Sequence, residues 1–196
     1  MKKGTKNLIN TVLALAAISV LGYLLLSGGK SFVPENFSGS RGKSAVIASE
    51  IVSELGLSLQ NLNKISEEDR NGRFSSALKL VEQETEKIEK AKADAIELSN
   101  ELINMAQAVQ GIKPTAARNL ALEAVTQETT LIGHLINYNA YFSGLLATLK
   151  LKFAGDIKYD SDEVQDLINK MNEERGQINS INDSFNQKLK EFDSKI

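Results

Sequence analysis

The sequence predicts an all-α protein: a single N-terminal transmembrane helix, then an elongated antiparallel three- to four-helix bundle with heptad-type seams. Three observations carry this. The run Leu8 to Ser27 is apolar and holds no charged residue. Downstream, apolar residues recur every seven positions over five or six repeats, the period of helices that pack along a narrow stripe. No run of alternating β-branched residues bounded by turn residues marks a strand.

The apolar run decides the expected location. At 1.5 Å per residue, about 20 residues of helix cover the roughly 30 Å hydrocarbon core of a bilayer. A cleavable signal has an apolar core of about 7–15 residues followed by an A-x-A pattern. This run is longer and that pattern is missing, so it reads as a retained signal anchor with the lipid bilayer as its partner. The alternative is a secreted bundle, released by cleavage at the small residues Ser27 to Gly29. Lys2, Lys3 and Lys6 precede the run and Lys30, Arg41 and Lys43 follow it, so charge hardly orients it; the shortness of the head favours a cytoplasmic N-terminus with the rest of the chain outside the membrane. The absence of cysteine fits either side.

Residues 1–27 are therefore read as basic head and anchor, 28–43 as a Gly/Ser-rich tether containing Pro34, and 44–196 as the bundle domain. Charge divides the chain at the same place. The first 43 residues hold six Lys and Arg against one acidic residue, and the remainder carries a net charge near −7. An acidic domain without a basic patch does not suit phosphate backbones, which excludes nucleic acid as a partner.

Each helix announces itself by its seam. In the first, about Ser44 to Ile65, Ile51, Leu55, Leu59 and Leu62 share a face with Ala48 and Val52. Asn71-Gly72 breaks the chain. The second, about Arg73 to Gln110, repeats through Phe74, Val81, Ile88, Ala95, Leu102 and Val109. Gly111 and Pro114 mark its end and the next start. The third, about Thr115 to Ala154, steps through Val125, Ile132, Asn139, Leu146 and Phe153. After Gly155, the stretch Asp160 to Glu163 resembles a capping box and opens a fourth helix with Val164, Met171, Ile178, Phe185 and Phe192 in register. Short loops make successive helices antiparallel. The uncharged stretch Leu131 to Leu149 also has the length of a second span, but His134, Asn137 and Asn139 are costly in hydrocarbon.

Polar residues at seam positions are the candidate sites. Folding about the two loops brings Glu84, Tyr138, Asn139 and Glu174 near one level, a layer that would hold a cation or small ligand, or else fix the register of the helices. Glu128 and Lys188 fall level in the same way and predict an inter-helix ion pair. Gly133, Ala140, Gly144 and Ala147 line one side of the third helix and form a candidate helix-docking face, for a partner protein or for self-association.

Catalysis lacks its raw material. With no cysteine and only His134, zinc sites and nucleophilic triads are excluded. The di-iron Glu-x-x-His pattern fails because Leu131 stands three residues before His134. Gly29-Lys30-Ser31 and Gly42-Lys43-Ser44 imitate a phosphate loop, yet Leu24 and Phe37 occupy the position its first glycine needs. No cofactor is implied. The expectation is a non-catalytic interaction or scaffold module tethered at the cell envelope; the alternative is a sensory bundle whose polar layer is the receptor.

Overall fold

The structure, a computed structural model, describes residues 32–156 and 158–196; the predicted anchor at Leu8 to Ser27 lies outside them. Four helices follow in order: α1 (Glu35–Arg70), α2 (Phe74–Ala108), α3 (Thr115–Ala154) and α4 (Ser161–Asp193), with a 3₁₀ turn at Val109–Gly111. Their 33–40 residues make rods of about 50–60 Å. Among the described residues there is no strand, only a single bridge in which the backbones of Phe32 and Lys113 exchange hydrogen bonds of 3.2 and 2.9 Å.

Cross-helix pairs fix the topology. Between α1 and α2, Asn61 meets Glu84 and Lys43 meets Glu101. Glu82 and Lys150 join α2 to α3, and Gln127–Ser184 and Thr148–Glu163 join α3 to α4. With Phe74–Phe153 as a second α2–α3 pair, one partner climbs as the other descends in each set, so successive helices are antiparallel. The bundle closes at both ends. Phe37 of α1 meets Phe192 of α4 with ring centroids 5.9 Å apart, and at the far end Lys152 of α3 pairs with Asp69 of α1 at 2.5 Å.

The seams are the core. All five predicted seam positions of α4 are buried, as are the five of α3, Asn139 included. Two positions depart. Phe74 is 48 % exposed and stacks on Phe153 at the bundle end. In α1 the buried position is Ser58, and Leu59 stands beside it at the rim. No helix among the described residues is long and apolar enough to cross a membrane, Leu131 to Leu149 included. That stretch turns Leu131, Leu135, Phe142 and Leu146 into the protein interior.

The tether is shorter than the sequence suggests. Residues 35–43 belong to α1, and Gly42-Lys43-Ser44 lies inside that helix. Gly39 and Gly42 are poor helix formers, but tertiary contacts outweigh propensity here. Phe37 is buried against Phe192, and Arg41 donates two hydrogen bonds to Asp193, at 2.9 and 3.0 Å, across the Phe192 ring. At the start of α4, the Asp160 side chain accepts from the Asp162 backbone at 2.8 Å, a true N-cap. Glu163 does not close the box; it accepts from Thr148 of α3.

Gly155 ends α3 at φ 72°, in the left-handed region, whereas Gly176 sits mid-helix in α4 with open space where a Cβ would stand. The same substitution should therefore act with opposite signs. Gly155→Ala is expected to lower stability by about 1–2 kcal/mol, and Gly176→Ala to raise it by about 0.5–1 kcal/mol, both read from urea unfolding midpoints.

Candidate functional site

The four residues predicted to share one polar layer are handed to different helix pairs. Glu84, with no exposed surface, accepts from Asn61 of α1 at 2.7 Å and lies 3.4 Å from Lys87 on its own helix. Glu174 of α4 meets His134 Nδ1 at 2.5 Å and accepts from Asn137 at 3.1 Å, both on α3. Tyr138 is buried, with its ring edge toward Phe142 at 6.2 Å, and burial pushes its hydroxyl up to about 12. Asn139 is 1 % exposed, and neither atom of its amide has a partner among the described residues.

Register explains the dispersal. Glu82 pairs with Lys150, so Glu84 is level with the part of α3 more than one turn beyond Asn139. The stacked rings of Phe74 and Phe153 place α2 and α3 in a similarly shifted register. Glu174 is likewise level with His134 and Asn137 rather than with Asn139. Carboxyl groups that would have to converge on a cation are instead each bound to a neighbouring helix. Among the described residues, no three acidic, histidine or cysteine side chains stand close enough together to hold a metal ion.

The predicted Glu128–Lys188 pair is also corrected. Lys188 lies 3.0 Å from Glu123 and 3.6 Å from Glu191, since it is partly exposed and reaches the outer face of α3. Glu128 points inward, 4 % exposed, with Oε2 unpaired among the described residues. Burial raises its carboxyl to about 7, opposed only by the more distant charge of Arg41. The candidate docking face is present as a surface: Gly133, Ala140 and Ala147 are exposed on α3, while Gly144 is half-covered by Leu167 of α4.

A second polar level went unread in the sequence. Near the Phe37–Phe192 end, Ser40, Ser44, Glu101 and Asn182 are all buried. Glu101 is held below the usual carboxylate range, first by a hydrogen bond from Ser40 and despite its burial; Lys43 and Asn104 also donate to it. Ser40 falls in the stretch read as tether, and Glu101 stands one residue before a seam position, so heptad spacing marks neither. Asn61, the partner of Glu84, was equally unmarked. No protein-family model, no curated protein and no solved structure matches this chain.

Glu128 makes the cost of an unpaired interior carboxyl visible through pH. Between the ordinary glutamate value of 4.5 and about 7, the folded chain keeps a proton that the unfolded chain has released. Stability from this group is therefore full below about pH 4.5 and is lost as pH rises through about 7, by on the order of 3 kcal/mol. Glu128→Gln should unfold near the native midpoint at pH 5 and well above it at pH 8, measured by urea titration of both proteins. An equal difference at the two pH values would show that Glu128 does not titrate in this window.

Proposed function

We propose that this chain is a membrane-anchored, non-catalytic helical bundle that works as an interaction module at the cell envelope. The observation that carries the reading is the uncharged apolar run Leu8 to Ser27, which ends only five residues before Phe32. Phe32 is hydrogen-bonded to Lys113 at the α2–α3 connection, so the chain leaves the described bundle at one end. An anchor attached there holds that end close to the bilayer and projects the other roughly 50–60 Å away.

The interior supports a binding role on the surface rather than chemistry inside. Glu84 and Glu174 are engaged with neighbouring helices, and the packed seams leave the outer faces as the accessible part of the molecule. Long helical faces suit partner helices. Confinement to a membrane raises the effective concentration of any partner held in the same surface.

The chain contains no cysteine, and Ser194 is exposed beyond α4, so Ser194→Cys provides a single reporter of sidedness. A membrane-impermeant maleimide should label it on intact cells, with the labelled protein remaining in the membrane fraction after alkaline extraction. Labelling only after lysis would place the bundle on the cytoplasmic side; label in the medium would mean a secreted protein.

A further inference from the structure

We infer that the α2–α3 side of the bundle is a self-association surface, occupied by a second copy of this chain in a parallel, two-fold pair. The parallel orientation rests on the tethered reading above; the choice of surface does not.

The surface is identified by its contrast with the rest of the molecule. About a quarter of the chain is charged. Yet the exposed positions on the side where α2 and α3 adjoin carry no Asp, Glu, Lys or Arg from Ala93 to Gln110 on α2 or from Asn119 to Ala147 on α3. Ile96, Ile103, Leu122 and Ile136 stand out from it at 62, 53, 46 and 49 % exposure. That is half of the large apolar side chains exposed among the described residues, concentrated on one of four sides.

Register places these residues against one another. The Glu82–Lys150 ion pair marks the rim of the α2–α3 groove. Two heptads down α2 from Glu82 is Ile96, and two heptads back along α3 from Lys150 is Ile136; the Phe74–Phe153 stack sets the register about five residues lower on α3, so Ile96 falls between Leu131 and Ile136, at the level of Gly133. Gly133 and Ala140, one turn to either side of Ile136, are exposed and open hollows beside it. Projections and hollows thus share one surface, which is what an isologous contact requires.

Charge and size favour a second copy over other occupants. A strongly charged partner helix would lose hydration here with nothing to pair against, whereas this uncharged surface meets its own copy without penalty. The uncharged side runs about 27 Å along α2 and about 40 Å along α3, long enough to bury the roughly 800 Å² per partner of a standard interface. A two-fold axis along the bundle brings Ile96 of one copy to the level of the Gly133 hollow of the other, the arrangement two molecules anchored in one membrane adopt.

The test uses the full chain in native membranes with a short bis-maleimide. Ala140→Cys is expected to give a covalent dimer, and Gln187→Cys, on the exposed side of α4, to remain monomeric. Adding Ile136→Glu to Ala140→Cys should reduce the dimer by roughly tenfold or more without changing helical content. A monomeric Ala140→Cys, or a dimer that survives Ile136→Glu, would overturn the inference. Repeating the reaction on detergent-solubilised chain separates the two readings. Dimer there from protein that fails the sidedness test keeps the interface and discards the anchor; anchored protein without dimer does the reverse.

Discussion

The structure depends on the continuity of its apolar seams. Four helices of 33–40 residues are joined by short connections, in a chain without cysteine and with no cluster of metal-ligating side chains among the described residues. Each helix must bury a stripe along its whole length against its neighbours, because helices gain most of their stability from such packing rather than from propensity. A slip of one residue would rotate the stripe out of the interior. The register is therefore set by every seam residue at once, and interruptions of the seam are the positions where the sequence departs from simple packing.

Those interruptions are polar, and their partners decide what they do. Glu84 uses Asn61, Glu174 uses His134 and Asn137, and Glu101 uses Ser40. Each pair couples two adjacent helices at one height, where a slip would leave a buried polar group unsatisfied at a cost of about 1–3 kcal/mol. Asn139 and Glu128 have no such relief among the described residues. They lower stability and so are the positions that most invite a functional explanation. Arg41 supplies a different restraint: its two hydrogen bonds to Asp193 and its place over Phe192 tie the first turns of α1 to the end of α4.

What could be read from the sequence follows from the same physics. Period seven is a local signal, so the four helices, the break at Gly72, the stop at Gly155 and nearly all of the core were legible in spacing alone. The start of α1 was not. Gly39, Ser40 and Gly42 look like a linker until Phe192 and Asp193, some 150 residues later, pack against Phe37 and Arg41. The polar layer was misplaced for a related reason. Residues can be assigned to a seam from one helix, but their level depends on how the paired helices pack along their length, and between α2 and α3 that packing sets Glu84 more than a turn from Asn139. Partner choice is also non-local: nothing around Asn61 or Ser40 in the sequence marks either as the complement of a buried carboxyl.

The paired polar residues of the interior serve the fold, none of the buried polar groups is a receptor, and recognition lies on the outer faces. Asn139 tests this most directly, because its amide is the unpaired group at the centre of the layer first read as a receptor. The measurement is the thermal unfolding midpoint of the full chain and of Asn139→Leu, in chelator and in millimolar calcium, magnesium or zinc. The account predicts that Asn139→Leu raises the midpoint equally in every condition and that no ion shifts the native chain. An ion that stabilises the native chain and loses its effect in Asn139→Leu would contradict it and make the interior a binding site.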